Sequence, residues 1–152
     1  MQRICFATNN SNKIKEISSQ LNGQFEVISL ADLECTIDLP ENQATLKGNA
    51  EEKATYIWEH YKTPCFADDT GLEIEALNGE PGVYSARYAG DARDNEANIS
   101  LVLQNLKTAT NRRAQFTTVI CHIDSQGKKH FFEGVAKGTI RTERSGKEGF
   151  GY

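Results

Sequence analysis

The residues best equipped for chemistry lie in one short stretch, Cys65-Phe66-Ala67-Asp68-Asp69-Thr70-Gly71. Pro64 opens it, an apolar run carries it inward, and two adjacent carboxylates end the run. Thr70-Gly71 is expected to turn the backbone before Leu72. Such a run reads as a buried strand that delivers Asp68 and Asp69 to a sheet edge. Hard oxygen ligands there suit Mg²⁺, which takes one or two carboxylates and the phosphates of its substrate. The competing reading is an Asp turn, with the side chains bonded to nearby amides. If the extended backbone persists, the two acids face opposite sides of the strand. One carboxylate can then face the chemistry while the other supports it.

A second polar stretch follows the first strand candidate, Ile4-Cys5-Phe6-Ala7. Thr8-Asn9-Asn10-Ser11-Asn12-Lys13 leads into a helix in which Ile14, Ile17 and Leu21 recur at helical spacing and Asn22-Gly23 ends the pattern. A strand, a polar loop and a helix N-terminus offer backbone N–H groups to an anion, with Lys13 adding a point charge. No Walker-type glycine pattern is present, and from loop chemistry alone simple capping by Ser11 or Asn12 is the favoured reading.

The remaining elements must position these groups. Phe25 to Leu30 reads as a strand and Ala31 to Gln43 as irregular, interrupted by Pro40. A helix from about Thr45 to Tyr61 carries Leu46, Ala50, Ile57 and Tyr61 near one face. Asn49 and Lys53, four apart, share a neighbouring face; Lys53 is either solvated or within reach of an anion near the Asp pair. Leu72 to Leu77 alternates as a half-buried strand. After the turn cluster Asn78 to Gly82, Ile99, Val102, Leu103 and Leu106 mark a third helix. Residues 114 to 123 alternate again, with Phe116, Thr118, Ile120 and His122 on one face. His130 to Ile140 reads as the antiparallel neighbour, joined through Ser125-Gln126-Gly127. His122 and His130 read as strand surface residues. The fold class expected is α/β, a mixed sheet with flanking helices and two lobes around a central cleft.

The chain has 152 residues, 38% hydrophobic and 25% charged, with a net charge of −4. That is one domain by length, expected over residues 1–152, with enough chain for a substantial core. The acidic balance argues against a nucleic-acid polymer as partner. No run reaches the length of a membrane span. The N-terminus lacks the apolar region of a secretory signal. Cys5, Cys35, Cys65 and Cys121 form no CxxC pair, and no Cys/His cluster has zinc spacing; a reducing, cytoplasmic compartment is expected. Gly146 to Tyr152 reads as the middle of a loop, so a further C-terminal segment is expected.

Five stretches together resemble the inosine triphosphate pyrophosphatase family, enzymes that remove non-standard purine nucleoside triphosphates. Thr8 to Lys13 resembles the family's opening phosphate loop. Glu41 followed by Thr45, Asn49, Ala50, Lys53 and Ala54 resembles its acid-then-Thr-x-x-x-Asn-Ala-x-x-Lys-Ala helix. Ala67 to Leu72 resembles its central acidic motif, Pro81 to Tyr88 its next block, and Gly149-Phe150-Gly151-Tyr152 the start of its base-binding loop. The blocks stand in the family's order across nearly the whole chain. The family continues after this Tyr with an Asp-Pro, a Lys and a His-Arg pair that help hold the base. Two other groups fit less well. Haloacid-dehalogenase-type phosphatases need two aspartates with one residue between them, whereas Asp68 and Asp69 are adjacent, and Maf-type pyrophosphatases open with a Ser-rich, Arg-containing loop.

The resemblance implies hydrolysis of ITP, dITP or XTP to the monophosphate and pyrophosphate, with Mg²⁺ as cofactor and attack at the α-phosphorus. It implies Asp69 as proton acceptor, Glu41 and Asp69 as metal ligands, and Asp68 as support. Lys13 and Lys53 would neutralise the triphosphate. Thr8, Asn9, Asn10, Ser11 and Asn12 would hydrogen-bond it, and Thr70 would contact phosphate or sugar. Phe150 would stack on the base, with Gly151 and Tyr152 beside it in the base-binding loop. Arg87 is either a structural ion-pair partner or a substrate contact. A homodimer is expected from the family's habit. The alternative, from another class, is a nucleotide-binding module that does not hydrolyse.

Overall fold

The first apolar run forms strand β1 (Gln2–Phe6) in the computed structural model, which describes residues 2–143. Helix α1 (Ser11–Leu21) follows, capped by Asn10, whose side chain accepts from the backbone amides of Asn12 and Lys13. The cap expected at Ser11 or Asn12 therefore falls one residue earlier. Asn10 keeps an extended backbone, and its short carboxamide reaches the amides two and three residues on. Strand β2 (Phe25–Ile28) stops before Leu30 because Ala31–Leu33 tighten into a 3₁₀ turn. Helix α2 (Leu46–Tyr61) begins where its Thr45 cap accepts from the Gly48 amide, as the spacing of its apolar residues implied.

Strand β3 (Cys65–Ile74) departs most from the sequence expectation. The backbone does not turn at Thr70-Gly71; it runs extended through both acids. Pairing overrides the local turn preference. Leu72 and Glu73 pair antiparallel with the short strand β4 (Pro81–Gly82), and the Leu72 amide donates to Ser85 Oγ at 2.8 Å. The expected strand over Leu72–Leu77 ends at Ile74, and Glu75–Leu77 form a 3₁₀ turn. Helix α3 (Asn95–Asn105) and strands β5 (Arg113–Ile123) and β6 (Lys129–Thr139) follow. Among the described residues, six strands make one mixed sheet, ordered β2-β1-β3-β5-β6, with β4 paired to β3.

The chain divides into two compact units. The first comprises residues up to Asp69 together with Val119–Glu133; the second comprises Thr70–Thr118 and the chain from Gly134. In the first unit, β1 pairs in parallel with both β2 and β3. Alternation along these strands sorts their side chains into two cores. Ile4, Phe6 and Phe66 pack with Ile14 and Ile17 of α1. Cys5, Ala7, Cys65 and Ala67 pack with Ala50, Ala54 and Ile57 of α2. Burying one such isoleucine contributes about 1.5–3 kcal/mol. All four cysteines are buried free thiols of this second core. Burial pushes Cys5 and Cys65 up to about 12 and Cys121 up to about 11, so they are packing residues rather than nucleophiles.

In the same unit, Asp124 closes the β5–β6 turn by accepting from the Gln126 and Lys128 amides. His130 Nε2 lies 2.9 Å from Asp124 Oδ2, and His122 stacks on His130 at 5.5 Å between centroids. The second unit has its own core of Leu72, Ile74, Val102 and Leu106, with Leu77, Tyr88 and Ile140 against it. Buried Asn98 ties α3 to this core's loop by accepting from the Ala89 amide and donating to the Ala86 carbonyl.

Candidate active site

The first unit concentrates the expected chemistry at one place, and strand lengths explain why. β1 stops at Phe6, whereas β3 pairs with it only at Cys65 and Phe66 and then continues. Asp68 and Asp69 are thus carried beyond the carboxyl end of β1. The chain leaves β1 through α1 toward β2 on one side, while β3 lies on the other. This reversal of strand order is a topological switch point, the place where open α/β sheets leave a crevice for ligands.

The alternation that sorts the two cores also sorts the two acids. Asp68 follows Phe66 toward α1, and Lys13 Nζ donates to its Oδ2 at 2.8 Å. Asp69 follows Ala67 toward α2, and Asn49 Nδ2 donates to its Oδ2 at 3.1 Å. The expectation that the adjacent acids face opposite ways is met because the strand stays extended. Lys53 is buried rather than solvated. Its ammonium donates to Glu41 Oε1 at 2.8 Å and to the Asp68 carbonyl at 2.6 Å. Three carboxylates and two ammoniums are thereby interleaved, with Asp68 and Lys53 each buried.

Burial raises the Asp69 carboxyl to about 6; the Asn49 hydrogen bond and Lys53 pull the other way, while Glu41 and Asp68 push it further up. Asn49 was not expected to matter by itself, yet it is 1% exposed and bridges two parts of the site. Its Oδ1 accepts from the Gln43 amide at 2.9 Å, which fixes the carboxamide so that its NH₂ faces Asp69. A sequence signal existed: Asn49 stands beside the apolar stripe of Leu46, Ala50 and Ile57 on α2, a polar residue on its buried border.

The loop before α1 is pre-organised by its own side chains. Thr8 Oγ1 accepts from the Asn10 amide, Asn10 caps the helix, and Asn9 Nδ2 reaches Asp38 Oδ1 at 3.3 Å. Ser11 and Asn12 are exposed in the first turn. The capped helix N-terminus and Lys13 therefore sit on the same side as Asp68.

Among the described residues, no three His, Cys, Asp or Glu side chains converge as a metal cage. Mg²⁺ does not require one, because substrate phosphate and water complete an octahedron begun by one or two carboxylates. The oxygen-only donors Glu41 and Asp69 feel each other's charge, and burial leaves Asp69 reluctant to ionise. A divalent cation would relieve both effects, so these residues fit the ion.

The other expected site residues are placed less decisively. Thr70 belongs to the second unit, where its hydroxyl meets that of Thr118 at 2.8 Å. Arg87, in the same unit, lies over the Tyr84 ring at 5.5 Å. Phe150, Gly151 and Tyr152 lie outside the described residues. The second unit also contains a cavity of about 440 Å³ lined by Glu73, Glu75, Arg113, Gln115 and Lys137 among others, none of them an expected site residue.

Known proteins place this geometry in context. The Ham1 family matches residues 4–152. A dITP/XTP pyrophosphatase of Flavobacterium psychrophilum is 50% identical over 150 residues, 99% of this chain and 78% of the relative. One from Porphyromonas gingivalis is 49% identical over 153 residues, 100% of this chain and 78% of the relative. Among solved structures, the Staphylococcus aureus Ham1 protein superposes with a TM-score of 0.89 at 38% identity, covering 99% of this chain and 78% of that one. A HAM1 protein from Coxiella burnetii gives 0.90 at 34% identity, covering 100% and 79%. The five sequence blocks and the fold agree with these matches: the chain belongs to the Ham1 family.

Proposed function

We propose that this chain hydrolyses non-standard purine nucleoside triphosphates, dITP, ITP and XTP, to the monophosphate and pyrophosphate, with Mg²⁺ as cofactor. The supporting observation is the pair of lysine–carboxylate contacts at the switch point, Lys13–Asp68 and Lys53–Glu41, each at 2.8 Å. The names of the relatives, dITP/XTP pyrophosphatase, supply the base preference.

Glu41 and Asp69 would hold the metal, which when bound would neutralise phosphate charge and make water more acidic. Asp69 takes the proton of the attacking water. The water oxygen bonds to the α-phosphorus, the bond from that phosphorus to the α–β bridging oxygen breaks, and pyrophosphate leaves with the electron pair. A carboxyl at about 6 is better matched to this task near neutral pH than an ordinary aspartate. Lys13 exchanges Asp68 for triphosphate oxygens, and Lys53 supplies the second positive charge. Thr8, Asn9, Asn10, Ser11 and Asn12 with the α1 N-terminus cradle the anion. Thr70 contacts phosphate or sugar. Asp68 holds Lys13 ready, and Arg87 shapes its own loop. Phe150 stacks on the base, since an aromatic face serves any base, and Gly151 and Tyr152 contribute to the same substrate-binding loop.

The whole chain acts as one pyrophosphatase domain, in the cytoplasm and as a homodimer. Among the described residues no helix is long and apolar enough to cross a membrane. The direct test is pyrophosphate release from dITP, XTP, dGTP and ATP with and without Mg²⁺. Selective cleavage of dITP and XTP is expected. Binding of all four without release would make the chain a nucleotide-binding module.

A further inference from the structure

The acid-bearing loop Glu41–Gln43 has no regular secondary structure, yet helix α2 holds it at successive points. Lys53 takes Glu41 at 2.8 Å. Glu52 accepts from the Asn42 amide at 2.8 Å through Oε1 and from Gln43 Nε2 at 2.7 Å through Oε2. Asn49 accepts from the Gln43 amide and donates to Asp69. Beneath these bonds lies Gly48, in the first turn of α2. A Cβ built there would stand 2.7 Å from Gln43 Cβ, 2.9 Å from Thr45 Oγ1 and 3.1 Å from Gln43 Cγ. Gln43 Cβ sits next to the backbone and cannot swing aside, so any side chain at position 48 displaces the loop. Gly48 has no positive φ that would otherwise demand glycine. Its absent side chain is space for Gln43.

We propose that Gly48, Asn49 and Glu52 form a positioning clamp that sets the separation of Glu41 and Asp69, and through it the affinity for the divalent cation. The clamp rests on the reading of Glu41 and Asp69 as metal ligands. It acts through them: its hydrogen bonds go to the Asn42–Gln43 loop and to Asp69. Glycine is a poor helix residue, and alanine a good one. Keeping glycine at position 48 therefore runs against local helix preference, in favour of a loop contact that helix stability alone does not require. Groups that orient metal ligands typically alter metal affinity or activity by about 10- to 100-fold when removed.

The test uses the whole chain with Gly48→Ala and Glu52→Gln. Mn²⁺ affinity is read by titration calorimetry without nucleotide, and kcat and KM are read separately on dITP with saturating Mg²⁺. Gly48→Ala should stay folded with a somewhat lower melting temperature, the clash outweighing the helix-propensity gain, while weakening Mn²⁺ binding about tenfold and lowering kcat about tenfold, with KM for dITP within about twofold. Glu52→Gln should give a smaller loss of the same kind, because it keeps the shape and one acceptor. Folded Gly48→Ala and Glu52→Gln variants with wild-type Mn²⁺ affinity and kcat would overturn the clamp. A KM rise with unchanged Mn²⁺ affinity would overturn it too. If the wild-type chain releases no pyrophosphate, the functional reading fails; the Mn²⁺ comparison still decides the clamp.

Discussion

Strand β3 carries carboxylates in both compact units, and they are held by different kinds of partner. In the first unit, Asp68 is met by the ammonium of Lys13, and Asp69 by the single amide of Asn49. In the second, Glu73 Oε1 accepts from Thr117 Oγ1 at 2.6 Å and Gln115 Nε2 at 2.8 Å, both short side chains on β5. Glu73 is satisfied by neutral donors fixed on a neighbouring strand, which have nothing to gain by leaving. Lys13 reaches Asp68 on a long, partly exposed stem. The contrast separates a carboxylate fixed by neutral donors of the sheet from one held by a long ammonium, although the same strand supplies both.

The largest effect expected from this contrast is at Asp69. Asp69→Asn should lower turnover by about 10³-fold or more by removing the proton acceptor and a metal ligand. The same variant should melt no lower than the wild type at pH 7.5 without metal. The sign follows from the raised carboxyl: the folded state binds this proton more tightly than the unfolded chain, where the value is the ordinary 3.8. The associated stability is present in acid and is lost as pH rises from about 4 to about 6. A melting scan showing marked destabilisation of Asp69→Asn would mean that Asp69 is structural, as Glu73 is.

Lys13→Ala should raise KM for dITP by about tenfold, a free-energy loss of about 1.4 kcal/mol, with a smaller effect on kcat. Unchanged saturation would show that its contact with Asp68 is only an ion pair. The pH dependence sharpens the same side of the comparison. At limiting Mg²⁺, kcat/KM should fall about tenfold per pH unit below about 6 and level off above, with metal moving the break lower. A flat profile from pH 5 to 8 would remove Asp69 as the titrating base. The smallest catalytic effect should come from Glu73→Ala. It should cost about 1–3 kcal/mol of stability by orphaning two donors, with kcat/KM on dITP within about twofold. A large loss of turnover in a well-folded Glu73→Ala protein would erase the distinction between the two units.

The site was legible in the sequence where its residues carry local signals. The polar segment between an apolar strand and a helix located Thr8 to Lys13, and the apolar run ending in acids located Asp68 and Asp69. Asn49, Gly48 and Glu52 escaped because their roles depend on a loop that departs from α2 and returns to it. Lys53 was left between surface and site for the same reason: no helical pattern shows that Glu41 and the Asp68 carbonyl await its ammonium. The turn expected at Thr70-Gly71 failed because strand partners outweigh a dipeptide's local preference. β4 and Ser85, at least ten residues away along the chain, satisfy Leu72 and keep the backbone extended.

By itself, then, the sequence determined the order of elements, the family resemblance and the opposed faces of the two acids. These follow from the periods of strands and helices and from residue types at short spacing. Only the tertiary structure decided that β3 runs unbroken past the end of β1, that Lys53 and Asn49 bridge the loop to the acids, and that Asp69 sits near 6 rather than 4. Those features come from contacts between distant residues and from burial, which removes the water that would otherwise hold an aspartate's charge.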